Sequence, residues 1–101
     1  MHFYGTQSIN EQGHLTIGGV DTIELAKTYG TPLFVYDTAL IRKRARGFID
    51  TFKKHNITAQ VAYASKAFAC IAAYQLAEQE SLSLDVVSGG ELYTALQAGF
   101  P

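Results

Sequence analysis

The chain has 101 residues, 48% hydrophobic and 17% charged, which is the composition of a soluble globular protein with enough apolar material for one modest core. A formal net charge of -1 offers no bulk attraction to nucleic acid or to an acidic membrane, and a single cysteine, Cys70, excludes an intrachain disulfide and suits a reducing compartment. The first residues lack the basic segment and apolar run of a secretory signal, and no apolar run approaches the ~20 residues of a membrane-spanning helix, so a cytoplasmic location is expected.

Residues 8–10 and 14–17 read as two short strands around a turn at 11–13, ended by Gly18-Gly19. Asp21 is placed to cap a helix over 22–29, with Glu24 at its third position and Ile23, Leu25 and Ala26 on its buried side. Gly30 suits the helix C-terminus, and Pro32 prevents continuation. Residues 33–36 form a compact apolar strand. Asp37 or Thr38 then opens the longest helix, to about residue 55, with an apolar stripe of Leu40, Ile41, Ala45, Phe48, Ile49 and Phe52. Its other side carries Arg42, Lys43, Arg44, Arg46, Lys53 and Lys54 and reads as a solvated outer face, a phosphate-binding face being the lesser alternative.

The last forty residues read strand, helix, strand, helix: 59–65, 68–79, 82–87 and 91–97, with short connections. Phe68, Ala72 and Leu76 mark one side of the first of these helices. Such a repeat predicts an α/β fold with a right-handed parallel crossover, the opening of a (β/α)8 barrel that needs about 250 residues to close. The chain is therefore expected to be the front part of a longer one.

Chemistry concentrates at the end of the strand over 59–65. Side chains alternate faces along a strand, so Val61, Tyr63 and Ser65 share one face and Ala62, Ala64 and Lys66 the other. A primary amine at the end of a small apolar wall suits imine chemistry with an aldehyde, because partial desolvation disfavours the ammonium form. A strand-end lysine reaching into water is the plainer reading of the residue alone. Asp85, on the next strand, is placed to face Lys66 and to hold its ammonium form; an acid satisfied by backbone donors is an equal alternative. Ser88-Gly89-Gly90-Glu91 reads first as a capping box and second as an anion site. Cys70 reads as an apolar filler one turn into a helix, and His2, His14 and His55 as surface or loop residues without metal-ligand spacing.

Two runs converge on a family. Tyr63-Ala64-Ser65-Lys66-Ala67-Phe68, followed by Leu84-Asp85-Val86-Val87-Ser88-Gly89-Gly90-Glu91-Leu92, resembles the fold-type III pyridoxal-phosphate decarboxylases, and Thr31-Pro32-Leu33-Phe34-Val35-Tyr36-Asp37 resembles their opening strand and helix start. The second run favours the branch that acts on diaminopimelate; the first is shared with ornithine and arginine decarboxylases. The resemblance implies pyridoxal 5'-phosphate on Lys66, Asp85 among the cofactor-binding residues, and no metal. It implies decarboxylation of meso-2,6-diaminopimelate to L-lysine, the last step of lysine biosynthesis, by a homodimer whose active site lies at the interface. It also implies that residues 1–20 belong to a separate β-rich domain and 21–101 to the barrel.

Some relatives have Asn at the position of Phe68. The family's phosphate-binding glycine segment, its substrate-binding residues and its catalytic cysteine have no counterpart among these residues, and Cys70 stands in the wrong place for the last. The 101 residues alone are therefore expected to be inactive. An ornithine- or arginine-type decarboxylase, an amino-acid racemase or a non-catalytic cofactor-binding protein of the same fold type, and a nucleic-acid module using the basic helix face are the competing readings.

Overall fold

A computed structural model of the chain describes residues 2–101. They divide into two compact units, the first ending at Ile41 and the second spanning Arg42–Pro101.

The first unit holds a three-stranded antiparallel sheet in the order β1 (Ser8–Ile9), β2 (Leu15–Ile17), β3 (Val20–Asp21). Gly18-Gly19 does not merely end a strand: both residues have positive φ, 60° and 78°, and form the two-residue turn of a β2–β3 hairpin. That backbone conformation at two successive positions is natural for glycine and costly for other residues.

Asp21 closes the hairpin and opens α1 (Thr22–Tyr29), its Oδ1 accepting from the backbone N–H of Ile23 at 2.8 Å and of Glu24 at 3.4 Å. Gly30 ends α1 at φ 80°, its N–H donating to the Ala26 carbonyl at 2.8 Å. The expected buried side of α1 is not there: Ile23 is exposed, Leu25 and Ala26 are half-buried, and no residue of α1 is fully buried. Asp37 anchors the start of the chain, its Oδ2 accepting from the Thr6 N–H at 2.9 Å and the Thr6 hydroxyl at 2.7 Å, while Oδ1 accepts from the Leu40 N–H at 3.0 Å. Residues 33–36 pair with no other strand among the described residues, and Phe34 is 87% exposed, so the predicted strand there is not formed.

His14 is more than a loop residue. Its Nδ1 lies 2.8 Å from Asp21 Oδ2, which also accepts from Asn10 Nδ2 at 3.0 Å. The His14 contact is the main cause that takes the Asp21 carboxyl from its ordinary 3.8 down to about 2; partial burial opposes it, and Asn10 and the two capping N–H groups add to it. An acid that ionises more readily when folded stabilises the fold above its unfolded value and ceases to do so as pH falls through its folded value. Thermal melts should therefore weaken between about pH 4 and about pH 2, and Asp21→Asn should flatten that part of the profile. An unchanged acid limb in the variant would contradict the assignment.

The second unit continues α2 (Thr38–Lys54) and then alternates strand and helix: β4 (Ala62–Ala64), a 3₁₀ turn (Ser65–Ala67), α3 (Ile71–Gln79), β5 (Ser83–Asp85) and α4 (Gly89–Gln97). β4 and β5 are parallel, with Ala62 opposite Ser83, Tyr63 opposite Leu84 and Ala64 opposite Asp85. The predicted parallel strand pair with a helix between its members is thus present, with shorter strands than expected.

α3 starts three residues later than predicted because Cys70 caps it, its Sγ accepting from the Ala73 N–H at 3.4 Å. Cys70 is therefore a cap and not a filler inside the helix. The buried side of α3 is Tyr74 and Ala77, three residues apart; Phe68 lies ahead of the helix and Ala72 is exposed.

The basic face of α2 is likewise only partly solvated. Glu80, 7% exposed at the end of α3, accepts from Arg46 Nε at 2.7 Å and Arg42 Nη1 at 2.9 Å, and Arg42 also reaches Gln79. Hydrogen bonds from Arg46 and then Arg42 hold the Glu80 carboxyl below the usual range despite its burial. A carboxylate this enclosed needs such partners. No described helix is long and apolar enough to cross a membrane.

Candidate functional site

The site forms where β4 and β5 end side by side. Tyr63, half-buried, and Leu84 are opposite partners and share a face; Ala64 and Asp85 share the other. The first face packs toward the helices: Leu84 and Val86 line an apolar groove of about 460 Å³ together with Leu92, Leu96 and Phe100. Glu78, Ser81 and Ser83 add polar groups to that groove, and Asp85 does not line it. On the second face Ala62 and Asp85 are exposed, Ala64 and Ser83 are half-buried, and Gln60 Nε2 donates to Ser83 Oγ.

Lys66 follows directly, but not as the last residue of a strand. It sits in the 3₁₀ turn, where the simple alternation of faces has already ended. Lys66 is exposed, so the partial desolvation expected of its amine is not supplied by residues 2–101. Lys66 and Asp85 stand at adjacent strand ends without forming an ion pair.

The turn that carries Lys66 is held on both sides. Ahead of it, Ser65 is fully buried, its Oγ 2.8 Å from the Asp85 carbonyl oxygen and 2.8 Å from Glu91 Oε2. Behind it, the Tyr63 hydroxyl donates to the Phe68 carbonyl at 3.0 Å, spanning the turn. These contacts fix the backbone on either side of the lysine while leaving its side chain unobstructed.

Ser88-Gly89-Gly90-Glu91 caps α4 as predicted in one direction: Ser88 Oγ accepts from the Glu91 N–H at 3.1 Å. The Glu91 side chain does more than complete a capping box. Its Oε2 accepts from the Val87 N–H at 2.7 Å and takes the contact with Ser65. The Val87 N–H and then the Ser65 hydroxyl hold the Glu91 carboxyl below its usual range, against partial burial, with smaller contributions from the Ser88 N–H and the charge of Lys66. Glu91 was legible from sequence only as a cap; nothing local signals a partner 26 residues earlier.

The residues present fit an aldehyde cofactor. Lys66 offers an exposed amine on the turn after β4, Ala62 and Ala64 are small residues on the strand before it, and Asp85 supplies a carboxylate at the end of the neighbouring strand. No group of three or more metal-ligating side chains occurs among the described residues.

Comparison with known proteins agrees with this chemistry. The family model described as "Pyridoxal-dependent decarboxylase, pyridoxal binding domain" matches residues 38–101. Diaminopimelate decarboxylase of Bacillus methanolicus is 73% identical over 101 residues, covering 100% of this chain and 23% of that protein. The Bacillus subtilis (strain 168) enzyme of the same name is 63% identical with the same coverage. Among solved structures, diaminopimelate decarboxylase from M. jannaschii in co-complex with L-lysine superposes with a TM-score of 0.82 at 39% identity, covering 92% of this chain and 22% of that one. The chain therefore spans less than a quarter of the length of the curated relatives it matches.

Proposed function

The chain belongs to the pyridoxal-dependent decarboxylases, carrying most of its length in their pyridoxal-binding domain, and from that premise we propose that it forms the front of an enzyme converting meso-2,6-diaminopimelate to L-lysine and carbon dioxide. The observation that carries the reading is the joining of two things at one strand end: an accessible lysine on a turn fixed from both sides, and 73% identity to a diaminopimelate decarboxylase through the whole of that region.

Pyridoxal phosphate supplies an aldehyde that an amine can attack and a pyridine ring that accepts the electron pair left by departing carbon dioxide. On this reading Lys66 would hold the cofactor through Nζ, and the same nitrogen would serve as the nucleophile toward its aldehyde carbon. Asp85, opposite Ala64 on β5, places a carboxylate at the neighbouring strand end and would be among the residues that hold the cofactor. Ala62 and Ala64 exclude no volume that a flat ring needs.

Residues 1–20 join a separate β-rich domain and 21–101 open a (β/α)8 barrel; the parallel β4–β5 pair, each strand followed by a helix, supports the barrel assignment. The working enzyme is a homodimer in the cytoplasm with a diamino acid as substrate. Neither nucleic acid nor a membrane is a partner, in keeping with the net charge of -1.

The test is product analysis on the full-length chain carrying these residues. Incubation with meso-2,6-diaminopimelate should release carbon dioxide and L-lysine in equal amounts, and ornithine and arginine should react far more slowly. Preferred release of carbon dioxide from ornithine or arginine would move the enzyme to that branch. Stereochemical inversion without carbon dioxide would make it a racemase.

A further inference from the structure

The contacts of Ser65 and Glu91 are not used by the reading above, and they converge on the backbone next to Lys66. Ser65 is 0% exposed, and its hydroxyl lies at 2.8 Å from two oxygens, the Asp85 carbonyl and Glu91 Oε2. A hydroxyl has a single hydrogen, and a carbonyl oxygen only accepts. With Glu91 ionised both neighbours are acceptors, and the charged one is the stronger. The hydrogen therefore belongs mainly to Glu91. The same carboxylate oxygen also accepts the Val87 N–H at 2.7 Å, while the Glu91 N–H is tied to Ser88 Oγ at 3.1 Å.

One carboxylate oxygen thus joins three pieces of chain: the residue before Lys66, the loop after β5, and the first turn of α4. Capping alone does not account for this. A cap requires the N–H groups at the helix start, whereas the Ser65 contact reaches across to the neighbouring strand end. The joint is half-buried at Glu91 and closed at Ser65, so water competes poorly for it.

We propose that Ser65 and Glu91 are positioning residues that lock the Lys66 turn against the end of β5, Glu91 acting through the Ser65 hydroxyl to fix the point from which the lysine reaches the cofactor. The proposal rests on the reading of Lys66 as the anchor. A lysine has a long flexible stem, so the place of its Cα decides how often the amine meets a carbonyl held elsewhere, and a displacement of about 1 Å costs on the order of 10²-fold in rate.

The experiment uses the full-length holoenzyme with S65A, E91Q and the double variant. Three quantities are read: Kd for pyridoxal phosphate from absorbance titration of the apoenzyme, kcat and KM for meso-2,6-diaminopimelate, and the thermal midpoint of the apoenzyme. Each single variant should weaken cofactor binding and lower kcat by about tenfold to a hundredfold, with KM moving much less. The double variant should be no worse than the poorer single one, because the two residues act as one joint.

Additive losses in the double variant would overturn the lock. So would either single variant with wild-type Kd and kcat, or one that lowers the thermal midpoint while leaving Kd and kcat unchanged in the folded enzyme. Should one variant not fold, the other single variant is read by the same criteria. A wild-type full-length protein that binds no cofactor on Lys66 would remove the anchor reading, and the lock with it, before any variant is made. A wild-type protein that does bind it there, with S65A unaffected, would remove the lock alone.

Discussion

Lys66→Ala in the full-length chain should lose covalent attachment of pyridoxal phosphate and lower kcat by on the order of 10²–10⁴-fold or more. On the proposed reading two roles fall on one nitrogen, anchorage of the cofactor and attack that frees the product, so a single substitution removes both. Lys27 lies on α1 and Lys43, Lys53 and Lys54 on α2, and none of them is on β4, on β5 or on the turn that follows β4. The measurement is borohydride reduction of the wild-type holoenzyme followed by peptide mapping, with absorbance spectra of both proteins. Cofactor should be fixed on the peptide containing Lys66 and on no other, and the visible band of the bound aldehyde should vanish in the variant. Fixation on Lys27 or Lys54, or a visible band that survives the substitution, would show that the amine has been misassigned. Asp85→Ala should act more mildly, since the contribution of Asp85 is electrostatic and its carboxylate forms no ion pair with Lys66 in the structure.

Much of the architecture could be read from the residues because its determinants are local. Asp21, Gly30 and Ser88 cap helices through neighbours within four residues, and each does what its type and place suggest. The alternation of strand and helix after residue 59 follows from short apolar runs broken at Asn56, Glu80-Ser81 and Gly89. What escaped is non-local or too short to have a pattern. Glu80 receives Arg42 and Arg46 from 38 and 34 residues away, so a helix face that looked solvated turns out to be half engaged. Glu91 meets Ser65 across 26 residues. β3 has two residues, below any periodicity, and appears only because Gly18-Gly19 turns the chain back. The 33–36 run has the composition of a strand, but composition does not supply a neighbouring strand to build a ladder with, and these residues join neither sheet. Alternation predicts that Lys66 ends a strand, whereas it lies in a 3₁₀ turn, which takes it out of the alternation of faces.

Tyr74→Ala should destabilise the chain by about 3–5 kcal/mol, the usual cost of emptying a fully buried aromatic site. Tyr74 is 0% exposed and is the largest fully enclosed side chain among the described residues. It lies on the side of α3 that also buries Ala77, and α3 packs on β5 and α4, so the ring fills space that alanines cannot. Helical spacing alone groups Phe68, Ala72 and Leu76 on one side, but Phe68 precedes the helix, Ala72 is exposed, and the fully buried positions are Tyr74 and Ala77. The hydroxyl of Tyr74 is buried and has no hydrogen-bond partner among the described residues. A buried polar group without a partner costs stability, so Tyr74→Phe should be neutral or stabilising by about 1 kcal/mol while keeping the packing. Urea unfolding of wild type and both variants separates the two contributions. If phenylalanine cost as much as alanine, the hydroxyl would have a partner beyond residues 2–101, and the site would be polar. If neither variant moved the midpoint, Tyr74 would not belong to the core at all.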